Sequence, residues 1–170
     1  VCVQTAHYTV PEKSRTCELK TLSFSSQGAP VAITKIEQES ILSGGYVKPR
    51  FKIYISEVGK GTVIAKDAKS LEKACKKETT SINDIIGKVT IEEATISGKP
   101  LDCQGTEDKK KTITLTGIPK KDFVECSLKD NIFSSGASNN LVAPLKIALG
   151  YGYQKAISKD VKIEVLDTSP

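Results

Sequence analysis

The sequence predicts an all-β protein, and three observations carry that prediction. From Val31 onward apolar residues recur at every second position, the period of a strand with one buried face. Glycine clusters at Gly44-Gly45, Gly59 to Gly61 and Gly98 to Pro100 interrupt the alternation where turns belong. Five cysteines without a CxxC pair, in a chain of 170 residues, point to disulfides rather than a metal site.

Taken in order, residues 1 to 30 hold no sustained period, contain Pro11 and Pro30, and end in the polar stretch Ser25-Ser26-Gln27-Gly28. They are expected to form an extended arm, with Leu22 and Phe24 marking a short strand inside it. Residues 31 to 170 form the domain. Phe51, Ile53 and Ile55 face one way there, and Lys52, Tyr54 and Ser56 the other. Val89, Ile91, Ala94 and Ile96 repeat the theme with a phase slip at Glu92-Glu93, which reads as a β-bulge. Ile113 and Leu115 alternate with threonines, and Val124, Cys126 and Leu128 make another inward face. Leu145, Ile147, Leu149, Tyr151 and Tyr153 form the longest alternating run, and Val161, Ile163 and Val165 predict a closing strand. One segment differs. Asp67 to Glu78 sets Leu71, Ala74 and Cys75 at helical spacing, with Ser70 as a cap and Glu72 four residues ahead of Lys76. A short helix with Cys75 on its buried side is expected. About seven or eight strands with one inserted helix argue for an immunoglobulin-like β-sandwich.

Cys2 and Cys17 bracket a short loop holding Pro11, and we pair them. Of Cys75, Cys103 and Cys126, any two can bond. We take Cys103 and Cys126 as disulfide cysteines and Cys75 as the free or intermolecular thiol, with the connectivity among the three left open. The chain lacks methionine and begins Val1-Cys2, which reads as a cleavage product with a signal segment or anchor upstream, so a membrane is expected only through that segment. An extracellular or cell-surface location follows from both features.

The formal charge of +5 comes almost wholly from lysine, since Arg15 and Arg50 are the only arginines. Nucleic-acid readers favour arginine forks interleaved with stacking aromatics, and aromatics make up 5% of this chain, so no nucleic-acid partner is expected. Catalysis is expected neither from His7, the single histidine, nor from the adjacent acids Glu92-Glu93 and Glu107-Asp108, which alternate faces on a strand. Asp102, Glu107 and Asp108 lack the spacing of an EF-hand calcium loop. No enzyme activity, cofactor or metal is predicted. Gly150 and Gly152 lack the helix a dinucleotide loop needs and read as room for close packing over one strand face. Tyr151 and Tyr153 beside them serve either as core plugs or as a platform for a partner.

The run from Phe51 to Val63, an alternating strand followed by Val58-Gly59-Lys60-Gly61, resembles the CARDB-type immunoglobulin-like domains of prokaryotic cell-surface proteins. That family usually has Asn where Glu57 stands here. A broader similarity runs over about residues 28 to 166, through Gly28 to Glu37, Leu101-Asp102-Cys103, Glu125-Cys126 and the closing strands. It is similar to uncharacterised secreted or membrane-anchored proteins of archaea, and it implies a surface location and this fold without assigning a ligand.

From these readings the chain is expected to be an extracellular structural or adhesive surface protein. Its arm would add a strand to a neighbour's sheet, building a pilus-like homopolymer or joining another cell-surface component. The alternative is a monomeric secreted glycan- or peptide-binding module. In it the loop from Ser134 to Asn140, with Ser138 and Asn139, and the tyrosines Tyr151 and Tyr153 form the site.

Overall fold

The computed structural model describes residues 1–3, 19–25, 27–43, 46–76, 84–105, 111–129, 133–134 and 141–162. Among these described residues, thirteen strands and one helix follow one another. The strands are β1 (Cys2–Val3), β2 (Leu22–Ser23), β3 (Val31–Ser43), β4 (Tyr46–Glu57), β5 (Thr62–Ile64), β6 (Lys88–Ile96), β7 (Lys99–Gln104), β8 (Thr112–Thr114), β9 (Lys121–Leu128), β10 (Phe133–Ser134), β11 (Leu141–Val142), β12 (Leu145–Gly150) and β13 (Gly152–Gln154); α1 (Ala68–Lys76) lies between β5 and β6. The protein is all-β and sandwich-like, with that one inserted helix.

Alternation does what the sequence promised in the strands that build the core. Phe51, Ile53, Ile55, Val89, Val124, Cys126 and Ile113 are fully buried, and Ile91 and Ile96 nearly so. One antiparallel sheet runs in the order β12-β6-β7-β9-β4-β3-β2, with β10 beside β4 and β8 beside β6. β7 serves two neighbours in succession. Pro100 and Lys99 pair with Thr95 and Ile96 of β6, and then Leu101 to Gln104 pair with β9. At that switch the sheet curls over, so that residues of β4 and β9 and residues of β6 and β8 share one apolar cluster. The turn from β6 to β7 has two residues, Ser97 at φ 47 and Gly98 at φ 77, the positive pair of a type I′ hairpin.

The slip at Glu92-Glu93 is a bulge, as expected: Ala148 pairs with Glu93 but Leu149 with Ile91, so Glu92 is the extra residue. Ile91 and Ala94 both stay inside because of it. Cys103 and Cys126 form a disulfide, and they are direct partners on neighbouring strands with Cα atoms 4.0 Å apart. The bond therefore staples β7 to β9 within the curled sheet, whereas immunoglobulin domains bridge their two facing sheets.

Three expectations need correction. Cys75, the residue taken as the free thiol, is exposed and not on a buried side, because α1 lies on the surface beside β5 and turns that residue outward. Leu71 is itself 39% exposed, with the tip of its side chain over Gly152. The run from Leu145 to Tyr153 is two strands. β12 ends at Gly150 against β6, and β13 starts at Gly152 against β5, so Tyr151 sits between two different ladders. Val161 is 76% exposed and outside any strand, while Ile163 and Val165 lie outside the described residues.

The arm is described at its two ends. Cys2 and Val3 pair with Val142 and Leu141, and Leu22 and Ser23 pair with Ile36 and Lys35. Cys17 and His7 lie outside the described residues, and so does the proposed Cys2–Cys17 bond.

The disulfide closes a loop with a sequence separation of 23. Chain entropy for a loop of that length gives about 3 kcal/mol of stability. The double variant Cys103→Ala/Cys126→Ala is expected to lose about that much in guanidinium unfolding while keeping its β-type circular dichroism. An unchanged midpoint would contradict a stapling role.

Candidate functional site

The alternation that buries Phe51, Ile53 and Ile55 sends Lys52 and Tyr54 to the opposite face of β4. Register then supplies their neighbours. Tyr54 stands opposite Lys35 of β3 and Phe123 of β9, so Lys35, Tyr54 and Phe123 make one row across three strands. Glu37, Lys52 and Glu125 make the next.

A second bulge makes this possible. Ile33 pairs with Ile55 and Lys35 with Tyr54, so Thr34 is the extra residue of β3. In an unbroken ladder Lys35 would stand opposite Ile53 and point into the core. With the bulge, Ile36 takes the inward place, 5% exposed, and Lys35 comes out beside Tyr54. The Thr34 hydroxyl lies 3.4 Å from that of Ser56, which is nearly buried.

The two rings have centroids 5.7 Å apart and planes inclined at 44°, within the range of favourable aromatic pairs. Lys35 Nζ lies 3.9 Å from the centre of the Tyr54 ring, and Lys52 Nζ lies 3.9 Å from that of Phe123. Tyr54 donates its hydroxyl proton to Glu37 Oε2 at 2.9 Å, and Lys35 Nζ donates to Glu37 Oε1 at 2.7 Å. Both carboxylate oxygens of Glu37 are thus used. Its pKa is lowered, first by the hydrogen bond from Lys35 and then by that from Tyr54, and the Lys35 pKa is raised by the same bond to Glu37.

Beside this cluster lies an open groove of about 480 Å³. Tyr54 and Ser56 of β4 and Thr34 and Lys35 of β3 form its floor, Ser23 of β2 its near wall, and Lys121, Asp122 and Phe123 of β9 its far wall. Asp122 Oδ1 accepts the Phe123 N–H at 2.8 Å, which orients the start of that wall. The groove offers aromatic faces, hydroxyls, ammonium groups and a carboxylate, which is the chemistry of recognition. No group of three or more His, Cys, Asp or Glu able to hold a metal occurs among the described residues, and no helix there is long and apolar enough to cross a membrane.

A smaller groove of about 320 Å³ separates the turn at Gly59 to Gly61 from the turn at Gly117 to Lys120. Glu57 closes its base. Its side chain is 8% exposed, pairs with Lys120 at 3.5 Å and accepts the Val63 N–H at 3.3 Å. A carboxylate there satisfies the turn that follows β4.

No known protein family, curated protein or solved structure matches this chain.

The tyrosines expected at a site are placed apart. Tyr151 is half-buried and packs on the core cluster, whereas Tyr153, 36% exposed, covers the turn at Gly59 to Gly61. A Cβ on Gly61 would stand 2.3 Å from Gln154 O and 2.6 Å from the Tyr153 ring, so that turn needs glycine for close approach. Ser138 and Asn139 lie outside the described residues. Asp102 lies near Lys129, at 3.9 Å, and Glu107 and Asp108 are outside the described residues. Sequence reading had set Lys52 and Tyr54 on an outward face. It could not supply their cross-strand neighbours Lys35 and Phe123, because register is not written in any one strand.

The sign of the pH response follows from the two shifts. A lowered carboxyl contributes stability above the ordinary carboxylate range and loses it as pH falls through its folded value, while a raised lysine contributes below the ordinary lysine range and loses it as pH rises through its folded value. The cluster therefore holds intact across neutral pH. Removing the phenol in Tyr54→Phe is expected to move the Glu37 carboxyl upward, read by carbon-13 shifts in a pH titration. An unmoved titration would show that the Tyr54 bond is not made in solution.

Proposed function

We propose that this chain is an extracellular adhesive module that holds a glycan on the outer face of β2, β3, β4 and β9. The Tyr54–Phe123 pair at the edge of a surface groove carries this reading: two exposed-side aromatics aligned across strands, with hydroxyls and charges around them, match the amphipathic surface of a sugar. The Cys103–Cys126 bond is compatible with an oxidising, extracellular setting.

A glycan and peptide array probed with the whole chain tests the proposal. At least one glycan is expected to bind, and Phe123→Ala is expected to weaken it roughly tenfold, the loss of one ring contact of about 1.4 kcal/mol. Binding to peptides alone, or binding indifferent to Phe123→Ala, would reject it.

A second reading, the strand-added homopolymer, draws on the other end of the sheet. β12 is the last strand in the order, paired with β6 along its six residues, and nothing pairs its far edge among the described residues. Val1 and Ala143 exchange both backbone hydrogen bonds just ahead of that edge, so an arm contributed by a neighbour could continue along it. Forming such a polymer would require the arm's own pairings to exchange between copies. Negative-stain microscopy of intact protein and of protein lacking residues 1 to 30, with circular dichroism to verify folding, decides it. Filaments lost on deletion support the polymer; small uniform particles in both samples exclude it.

A further inference from the structure

The segment after β13 has the sequence of a strand but not the surroundings of one. Residues 155 to 162 are exposed throughout and lie outside any strand, with Ile157 at 87% and Val161 at 76%. Yet from Ile157 to Val165 the residues alternate. Ile157, Val161, Ile163 and Val165 share one row, interrupted by Lys159, and Ser158, Asp160, Lys162 and Glu164 share the other. We propose that this segment of one copy adds as an antiparallel strand to the free edge of β12 in a second copy of the chain.

The edge of β12 shows the complementary need. Leu145, Ile147 and Leu149 pack on the core cluster but are only partly buried, whereas Ile91 and Ile96 of β6 are enclosed almost completely. β6 has strand neighbours on both sides, while β12 ends the sheet with one among the described residues. A further strand covers that apolar row and takes up the open backbone groups.

One antiparallel register fits. It sets Val161 opposite Leu149, Ile163 opposite Ile147 and Val165 opposite Leu145, so that every inward position meets an apolar side chain. A shift of two residues brings Lys159 or Asp167 into that row. The same register places Glu164 opposite Lys146 on the outer face, beside the Glu93 that already pairs with this lysine at 2.8 Å. A parallel alignment of the same apolar residues would instead set Lys162 next to Lys146, which like charge disfavours.

The partner is a second copy because the segment does not return along its own β12. Folded back in this register it would bring Ile157 opposite Tyr153 and Val161 opposite Leu149, and both residues are exposed instead. The N-terminal arm is the poorer donor. Its described ends are already paired within the chain, to β11 and to β3, and those ladders would have to break first. Residues 155 to 162 have no ladder to give up. The inference thus takes its acceptor edge from the polymer reading, names a different donor, and stands apart from the glycan reading.

Sedimentation velocity of the whole chain over a dilution series tests this, with circular dichroism verifying that each variant folds. Expected is association that Ile163→Lys weakens at least tenfold, by placing a charge in the apolar row. Lys146→Glu and Glu164→Lys are each expected to weaken it roughly fivefold, and an equal mixture of these two variants to restore it, since each edge then meets a tail of opposite charge. A chain that stays monomeric up to about 1 mM overturns the inference. So does association that Ile163→Lys leaves unchanged, and so does a mixture no stronger than its components. Association lost on removing residues 1 to 30 but kept in Ile163→Lys overturns it in favour of the arm as donor.

Discussion

The register of β4 is the constraint on which the rest depends. This twelve-residue strand is paired with β3 along its whole length and, on its other side, with β9 and then β10. Its odd-numbered residues Phe51, Ile53 and Ile55 are wholly enclosed, each contributing about 1.5–3 kcal/mol by leaving water. Its even-numbered residues Lys52 and Tyr54 are by the same geometry committed to the outer face. A slip of one residue would bury a lysine and a phenol and expose three large apolar side chains, so core and candidate site are fixed by a single choice.

Two bulges adjust the neighbouring strands to that choice. On β6 the extra residue Glu92 keeps Ile91 and Ala94 inside although they are three positions apart. On β3 the extra residue Thr34 keeps Ile36 inside and brings Lys35 out beside Tyr54. Without the second bulge the charged row of the outer face would lose its first member to the core. In both strands, then, a backbone irregularity lets an aperiodic sequence satisfy an alternating sheet.

Closure depends on β7. Its first residues belong to β6 and its last to β9, and the Cys103–Cys126 bond fastens the second of these pairings inside the core cluster. The outer face beyond it is held by contacts that are individually weak, because exposed ion pairs gain little in water. Their value is positional. Glu37 binds both Lys35 and Tyr54, and so holds the phenol and one ammonium in place beside the groove at neutral pH.

Alternation in the sequence was sufficient to determine that the protein is all-β, which residues of β4, β6, β8 and β9 face inward, where Glu92 breaks the period, and that Asp67 to Glu78 holds a helix. These are local consequences of a two-residue or 3.6-residue period, and each can be read within one segment. Only the tertiary structure decided which strands meet. It split the run ending at Tyr153 between β6 and β5, turned Cys75 outward on a surface helix, and chose Cys103 and Cys126 as partners by setting β7 against β9. The candidate site belongs to the same class, since Lys35, Tyr54 and Phe123 come from three strands. Their meeting rests on long-range register and on a bulge at Thr34, and a pattern confined to one strand carries no information about the strand beside it.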